Sequence, residues 1–398
     1  MLRVFARKRP LTIGRRRLAV PLAVSLTALV GLSSCTRQDT SGADAPSSGP
    51  ALLPTAAAAA AGPALLPQVA PEQTTPRYVG RWVPDGSGMR CAWSGSYVVG
   101  RFKGTRISAR IKDEGFNLFQ VVIDGEPKKI LTTDKAKGEH VYQLADGLPD
   151  AIHEVALHRR TEAKVGEAVF YGFEPENGKL LPPPPAPERR IETIGDSITT
   201  GYGNEGPTAA CGYVNSQQNE YATYGAIAAR NLDADHTTIA WSGKTLHEMR
   251  GYFDKALPQR TDGPRWDFAQ YQPDVVVVNV GTNNFALVDP GEARFVRLYH
   301  ELIHTVRAAY PKAFIVCALG PMLSNVYPEK RNNLTQARKY MKAAVAKLKE
   351  AGDTNLELLE FPEQNHADGL GCGFHPSLKT HKLMSDRLTA FIKQRMGW

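Results

Sequence analysis

Between residues 76 and 180 the chain consists of short apolar or alternating runs of the kind that form β-strands. Val, Ile, Phe and Tyr are frequent in these runs, and turn residues such as Gly104 and the pair Asp124-Gly125 separate them. No stretch of this region keeps helical apolar spacing over the length of a helix. The pattern predicts an antiparallel β-sandwich of the jelly-roll type, with strands at SYVVGRF, RISARI, LFQVVI, HEVALHR and AVFYGF.

The hydrophobic pattern changes after the proline-rich residues 181–189, which predict a stiff linker between two domains. From residue 190 onward, apolar strands alternate with amphipathic helices. The run DVVVVNV, residues 274–280, is apolar almost throughout, as expected for a strand buried on both faces of a parallel sheet. The pattern predicts an α/β domain over residues 190–398, with a doubly wound parallel sheet between two layers of helices. Ligands of such a sheet bind at the carboxyl ends of its strands.

The first 35 residues have the plan of an export signal. Basic residues precede an apolar run, residues 18–31, that is too short to cross a bilayer comfortably. The tetrapeptide Leu-Ser-Ser-Cys that ends at Cys35 resembles the bacterial lipobox, whose cysteine becomes the first mature residue and carries the lipid. An ordinary secretory signal or an uncleaved anchor is the alternative. Residues 36–75 have the composition of a disordered tether, so we expect an exported protein anchored by lipid to the bacterial cell envelope.

Net charge alters this picture little. The whole chain carries a formal charge of +8, a value compatible with nucleic-acid binding. However, seven of its 48 Lys and Arg residues lie before residue 18, and the remaining 41 are balanced by 40 Asp and Glu. The mature protein is therefore nearly neutral, and we expect no nucleic-acid partner.

The segment TIGDSITTGYGNEG, residues 193–206, contains two motifs of different chemistry. GYGNEG fits the dinucleotide pattern G-x-G-x-x-G, but GDSITT separates it from the strand that the first glycine of that pattern must follow directly. The next strand, TTIAW, also lacks the acid that binds a ribose, so we expect no nucleotide. GDSI instead places Ser197 immediately after a strand, outside the G-x-S-x-G elbow of ordinary α/β-hydrolases.

Three further polar segments follow strands of the same predicted sheet. Residues 242–244, Ser-Gly-Lys, come after TTIAW, and residues 281–284, Gly-Thr-Asn-Asn, come after the buried strand. After the last strand comes DGLGCGFHPS with His375, and the proline behind it can open the closing helix. Four other histidines are expected on helix or loop surfaces: His300, His304, His366 and His381.

These four segments, in this order, resemble the sequence blocks of the SGNH (GDSL-like) hydrolase superfamily across the whole α/β domain. The leading β-sandwich and the sequence RTEA at residues 160–163 narrow the resemblance. Together, residues 77–398 resemble carbohydrate esterase family 2, which joins a jelly roll to an SGNH domain and removes acetyl groups from polysaccharides.

The resemblance assigns roles that agree with elementary chemistry. Ser197 would attack the acetyl carbonyl, and His375 would accept its proton and pass it to the leaving sugar hydroxyl. The backbone N–H groups of Ser197 and Gly243 and the side-chain amide of Asn283 would form the oxyanion hole. Trp241 and Phe374 would form an apolar wall for the acetyl group or a platform for a sugar, with core packing as the alternative for Trp241.

One position departs from the superfamily pattern. Many SGNH enzymes have D-x-x-H, in which the acid orients the histidine, but Cys372 stands three residues before His375. The resembling family is understood to include members with a Ser–His dyad whose histidine is held by a backbone carbonyl. We expect that arrangement here, with Asp368 as the second candidate. A disulfide between Cys372 and Cys211, both in polar loops, is a hypothesis suited to an oxidising compartment, whereas Cys317 in an apolar strand is expected to be buried.

The expected activity is that of a serine esterase, without metal or other cofactor, that deacetylates a xylan- or mannan-like polysaccharide through an acetyl-enzyme intermediate. Its expected partners are this polysaccharide and, through the lipid, the membrane. The missing acid leaves a glycan-binding lipoprotein with a weak or inactive hydrolase domain as an alternative. Peptidoglycan acetyl groups and lipid esters are alternative substrates, because the motifs determine the acyl chemistry and not the alcohol.

Overall fold

The computed structural model describes residues 75–134 and 138–398. Within these ranges, eleven strands up to Leu181 form two antiparallel sheets, with the orders β1-β4-β9-β6-β7 and β2-β3-β10-β5-β8; β11 adds to β4. The strands are β1 (Arg77–Val79), β2 (Trp82–Asp85), β3 (Gly88–Cys91), β4 (Tyr97–Gly104), β5 (Arg106–Asp113), β6 (Leu118–Ile123), β7 (Glu126–Thr132), β8 (His140–Ala145), β9 (Ala151–Arg159), β10 (Ala168–Glu176) and β11 (Lys179–Leu181).

The two sheets share one apolar core. In β5, Ile107, Ala109 and Ile111 are buried while Arg110 between them is exposed, which is the alternation of a strand with one inner face. Phenylalanines of β4, β6 and β10 enter the same core. The five apolar runs predicted as strands are β4, β5, β6, β9 and β10, so the predicted sandwich is confirmed. The strands that the pattern missed are short or, like β7, mostly exposed at a sheet edge.

Five parallel strands form the second domain, in the order β13-β12-β14-β15-β16. They are β12 (Arg189–Gly195), β13 (Ala234–Ala240), β14 (Val275–Asn279), β15 (Phe314–Leu319) and β16 (Leu356–Glu360). The helices of the described part are α1 (Ser197–Thr200), α2 (Tyr224–Asn231), α3 (Leu246–Tyr252), α4 (Glu292–Ala309), α5 (Asn333–Glu350) and α6 (Leu378–Met396). The proline-rich residues 182–188 connect β11 to β12.

The helices cover both faces of this sheet. The core on one face includes Met249 of α3, Tyr299 of α4 and Met341 of α5, and the core on the other includes Ala228 of α2 and Leu388 of α6. The predicted three-layer, doubly wound domain is therefore confirmed. The sequence pattern missed α3, because seven residues are too few to establish helical periodicity. Among the helices just given, none is both long and apolar enough to cross a membrane.

Buried hydrogen bonds join the sandwich to the α/β domain, and all described residues belong to one compact unit. Arg81 of the sandwich is buried and donates to the carbonyl oxygens of Phe253 and Lys255. The indole nitrogen of Trp93 also donates to Lys255 O, at 2.9 Å. Because an unpaired buried polar group is costly, these contacts fix how the two domains pack.

Candidate active site

Ser197 opens α1 directly behind the carboxyl end of β12. The chain passes from β12 to β13 on one side and later to β14 on the other, so the loops at this strand end diverge and leave a crevice. Asp196 stabilises the turn, since its Oδ1 accepts a hydrogen bond from the Ile198 N–H at 3.1 Å. Burial raises the pKa of Asp196 to about 7.

His375 lies against Ser197 although the two are 178 residues apart. Its Nε2 is 2.8 Å from Ser197 Oγ, and its Nδ1 is 3.0 Å from the backbone carbonyl oxygen of Cys372. A carbonyl only accepts hydrogen bonds, so Nδ1 carries the proton and Nε2 is left to accept from the serine hydroxyl. The carbonyl of Cys372 thus occupies the role that an acid has in D-x-x-H.

Asp368, the second candidate for this role, does not contact the histidine. Its carboxylate pairs with Lys379 Nζ at 2.6 Å and accepts from the side-chain amide of Asn365 at 2.6 Å. The hydrogen bond from Lys379 lowers the pKa of Asp368. Asp368 therefore braces its own turn instead of orienting His375.

The surroundings of His375 keep its imidazole neutral. Burial lowers the pKa of His375 to about 4, although the hydrogen bond to Cys372 O acts in the opposite direction. The ring of Tyr202 lies beside the imidazole, with a distance of 4.5 Å between centroids. At neutral pH the histidine is consequently unprotonated and able to accept a proton.

A disulfide between Cys211 and Cys372 holds the loop that carries His375. Cys372 thereby supplies both the orienting carbonyl and a covalent link. The second and third glycines of GYGNEG pack against it: a Cβ at Gly203 would lie 2.8 Å from Cβ of Cys372, and one at Gly206 would meet its sulfur. The spacing that imitates a dinucleotide motif therefore allows close packing of loops. Cys317 is buried and outside any disulfide, as expected.

Two backbone N–H groups at the carboxyl end of the sheet donate to no other described residue: that of Ser197, after β12, and that of Gly243, after the neighbouring β13. Gly243 is exposed, and its φ of +82° is a conformation that glycine adopts without strain. The side-chain amide of Asn283 donates to the carbonyl oxygen of Lys244 at 3.0 Å. Because an amide nitrogen carries two hydrogens, Asn283 retains a second one for a ligand.

The remaining predicted residues lie in varied surroundings. Trp241 is partly buried and packs against Tyr252, 4.9 Å between centroids, and against the core, so the core-packing alternative describes its ring. Phe374 is 58% exposed beside the dyad. The expectation of a surface position for His381 is wrong: it is buried on the inner side of α6 and accepts from the Tyr224 N–H at 3.2 Å. Cys35 lies outside the described residues.

Two side chains of the β-sandwich domain, Glu162 and Lys164, also contribute to the site, and the sequence analysis did not predict them. Glu162, completely buried after β9, accepts hydrogen bonds from both the backbone N–H and the hydroxyl of Ser242, each at 2.8 Å. Lys164 lies 2.9 Å from the same carboxylate and 4.9 Å from the ring centre of Tyr202. Glu162 belongs to RTEA, but no local pattern indicates a contact 80 residues along the chain.

Within the described ranges, no group of three or more His, Cys, Asp and Glu side chains could hold a metal ion.

Two family models match this chain. The model described as Carbohydrate esterase 2 N-terminal matches residues 78–185, and that of the GDSL-like Lipase/Acylhydrolase family matches residues 193–383. Among proteins of known function, the cellulase/esterase CelE of Acetivibrio thermocellus is 41% identical over 331 residues, which is 81% of this chain but only 39% of that protein. An acetylxylan esterase / glucomannan deacetylase of Cellvibrio japonicus is 24% identical over 79% of this chain and 87% of that protein.

Solved structures agree in fold. A family two carbohydrate esterase from Clostridium thermocellum, solved in complex with cellohexaose, is 40% identical with a TM-score of 0.77, over 81% of this chain and 100% of that one. A family 2 carbohydrate esterase from Corynascus is 29% identical with a TM-score of 0.73, over 81% of this chain and 100% of that one. Both similarities span the sandwich and the α/β domain together.

Proposed function

The chain belongs to carbohydrate esterase family 2, and on this premise we propose that it is a serine esterase that removes O-acetyl groups from a polysaccharide. One observation carries the proposal. Nε2 of His375 lies 2.8 Å from Oγ of Ser197 while Nδ1 is held by a carbonyl, so a nucleophile and an oriented base are already assembled.

In the first half of the reaction, Ser197 Oγ attacks the acetyl carbonyl carbon as its proton moves to Nε2 of His375. The tetrahedral intermediate then collapses, and the bond between the acetyl carbon and the sugar oxygen breaks. The imidazolium gives its proton to that oxygen, which leaves as a sugar hydroxyl. The Cys372 carbonyl stabilises the imidazolium through Nδ1–H, although less than a carboxylate would, since it carries no net charge.

In the second half, water attacks the acetyl-serine ester and gives its proton to the neutral His375. Collapse of the second intermediate returns this proton to Ser197 and releases acetate. In both halves the negative oxygen would accept from the N–H groups of Ser197 and Gly243 and from the free amide hydrogen of Asn283. Each such donor contributes about 2.7–4 kcal/mol to transition-state stabilisation in enzymes of this type.

Support for a polysaccharide substrate comes from the relatives and from the surface beside the dyad. The Clostridium thermocellum enzyme was solved with cellohexaose, and the Cellvibrio japonicus proteins are named for xylan and glucomannan. In this chain, Phe374 is exposed next to His375, whereas the ring of Tyr202 is in contact with Tyr213 and with the imidazole. An exposed aromatic ring such as that of Phe374 offers an apolar face to a sugar. We propose a xylan- or mannan-like chain as the substrate.

The alternative of a glycan-binding protein with an inactive hydrolase domain rested on the missing D-x-x-H acid. The carbonyl of Cys372 removes that motive, because His375 is oriented without an acid.

The proposal is tested by acetate release from acetylated xylan and acetylated glucomannan, and from 4-nitrophenyl acetate. Ser197→Ala and His375→Ala are expected to fall to about one thousandth of wild-type kcat or less. Ser216→Ala, on an exposed turn nearby, is the matched control and should retain full activity. Turnover of the small ester alone would refute the polysaccharide substrate, and an unchanged Ser197→Ala would refute the mechanism.

We also propose that the protein is exported and lipid-anchored through Cys35. The lipobox-like sequence supports this, as does the Cys211–Cys372 disulfide, a bond that persists in oxidising compartments. Bacteria that express the full chain and receive a labelled fatty acid should transfer label to the wild type and to the control Thr36→Ser, but not to Cys35→Ser. Equal labelling of all three proteins would contradict the proposal.

A further inference from the structure

The residue before Gly243 is held by a carboxylate from the other domain. Glu162 follows the sandwich strand β9, and its two oxygens accept from the N–H and the hydroxyl of Ser242 at 2.8 Å each. The carboxylate is completely buried, so it was removed from water to make these contacts. Two charge-assisted hydrogen bonds to one residue fix its position and its rotation together.

The orientation of Ser242 determines where the next N–H points. The peptide bond that carries the Gly243 N–H begins at the carbonyl carbon of Ser242. Gly243 itself is exposed, and nothing lies within 4 Å of the position that its Cβ would take. The oxyanion loop, residues 241–244, is held at its ends by Gly195 O, which accepts from the Trp241 N–H, and by Asn283, which donates to Lys244 O. In its middle, the carboxylate of Glu162 accepts two hydrogen bonds from Ser242.

Glu162 is in turn tied to the helix that begins at the nucleophile. Its N–H donates to Oε1 of Gln218 at 3.4 Å, and the amide of Gln218 donates to the Thr200 carbonyl of α1 at 3.0 Å. The hydroxyl of Thr200 also lies 3.3 Å from that of Ser242. The carboxylate, the oxyanion loop and α1 therefore form one connected set of hydrogen bonds.

A negative charge beside an oxyanion hole is unfavourable unless it is balanced. Lys164 supplies the balance, because its ammonium lies 2.9 Å from Oε1 of Glu162. It also sits over the rings of Tyr202 and Tyr213, at 4.9 and 4.8 Å, which keeps it on the dyad side of the carboxylate.

We propose that Glu162 is a positioning residue of the esterase: a carboxylate of the β-sandwich that, through Ser242, aims the Gly243 N–H at the oxyanion. The sandwich then contributes to the chemical step as well as to any binding of glycan. This inference rests on the proposed esterase function.

The test compares kcat and KM for 4-nitrophenyl acetate in matched variants. Glu162→Ala should lower kcat about 10- to 100-fold with KM within about twofold, because a misdirected donor weakens the transition state more than the substrate complex. Glu162→Gln should stay within about fivefold of wild type, since its amide can accept from the Ser242 N–H and donate to the hydroxyl. The amide NH2 then faces the Lys164 ammonium, whose partly exposed side chain can turn into solvent. Inhibition by phenylboronic acid, which forms a tetrahedral adduct with serine, should weaken in Glu162→Ala by about the factor that kcat loses.

Glu167→Ala is the structural control. Glu167 is also a buried sandwich glutamate that contacts the α/β domain, through Arg260 at 2.7 Å, but it does not touch the oxyanion loop. Its loss should lower the melting temperature and leave kcat within about threefold of wild type. An equal loss of kcat in both variants would overturn the proposal, because the effect would then be structural.

A folded Glu162→Ala variant with wild-type kcat would also overturn the proposal. If that variant does not fold, Ser242→Ala decides, because it keeps the N–H contact with Glu162 and loses the hydroxyl contacts with Glu162 and Thr200. A kcat about 3- to 10-fold lower supports the inference, and an unchanged kcat overturns it. Wild-type turnover that Ser197→Ala abolishes establishes the esterase independently. A failure of the esterase function is thus distinguishable from a failure of the role of Glu162.

Discussion

The two loops that complete the site around Ser197 are held in different ways. The base loop, residues 369–376, is fixed from within the α/β domain by the Cys211–Cys372 disulfide and by backbone bonds such as Cys372 N–H to Gly203 O, 3.0 Å. The oxyanion loop, residues 241–244, shares one backbone bond with β12, from Trp241 N–H to Gly195 O, but its middle and its far end are held by the side chains of Glu162, from the sandwich, and Asn283.

The difference matches what each loop does in the proposed mechanism. His375 must keep one ring nitrogen on the serine through two proton transfers, and a covalent link limits the drift of its loop. The oxyanion donors must be aimed at a charge that exists only transiently, and hydrogen bonds with defined directions achieve that aim. Reductant should therefore lower kcat by loosening the base loop. Substitutions of single side chains should lower kcat by loosening the oxyanion loop.

Outside the Ser197–His375 dyad, the largest expected effect is on the oxyanion side. Asn283→Ala should lower kcat about 10²- to 10³-fold with a small change in KM, because it removes one donor to the oxyanion. Asn284→Ala is the adjacent control: its Oδ1 accepts from the Leu246 N–H at 3.1 Å, at the start of α3. Its loss should cost about 1 kcal/mol of unfolding free energy and leave kcat nearly unchanged. Equal kcat losses in the two variants would contradict a specific role for Asn283.

Breaking the disulfide should have the next largest effect. Cys211→Ser should lower the free energy of unfolding by about 2–4 kcal/mol and kcat about 10- to 100-fold, because the carbonyl that orients His375 gains freedom. Dithiothreitol should reproduce both losses in the wild type and have no further effect on Cys211→Ser. A wild type that keeps its kcat after thiol titration confirms reduction would refute this view of the base loop.

The pH dependence reports on the burial of His375. Burial lowers its pKa to about 4, so the imidazole stays neutral and competent as pH falls through 6.5, and activity should be lost only near pH 4. The measurement is kcat/KM from pH 3 to pH 8, with unfolding followed at each pH so that acid denaturation is recognised. An acid limb centred near pH 6.5 would mean that the base loop leaves the imidazole exposed to water.

The smallest expected effect concerns Asp196, between the two loops. Its pKa is raised to about 7 by burial, so ionisation costs stability progressively as pH rises from about 4 to about 7. Asn cannot ionise and still accepts from the Ile198 N–H. The melting temperature of Asp196→Asn minus that of the wild type should therefore be larger at pH 8 than at pH 4.5. A relative loss at pH 8 would show that the native fold stabilises the ionised carboxylate.

Much of the site was predictable because its residues stand at strand ends. Ser197, Gly243 and Asn283 each come shortly after an apolar strand, and parallel strands bring the residues behind their carboxyl ends to one edge of the sheet. For the group that orients His375, the sequence left two candidates, a backbone carbonyl and Asp368. It could not decide between them, because every residue has a backbone carbonyl and this group has no sequence signature. His381 was misassigned for a related reason, since burial on a helix depends on what packs against it.

By itself, the sequence determined the two-domain plan, the parallel sheet and the four segments that meet at its edge, because hydrophobic period and strand-end chemistry are local properties. Tertiary structure alone decided that Glu162 reaches Ser242 and that the carbonyl of Cys372, and not Asp368, receives the Nδ1 proton of His375. It also brought Cys211 and Cys372 together in a disulfide bond, which the sequence permitted but did not require. Glu162 and Ser242 are 80 positions apart in the sequence, and Cys211 and Cys372 are 161 positions apart. Such contacts depend on how whole domains and loops pack, and no local pattern encodes that packing.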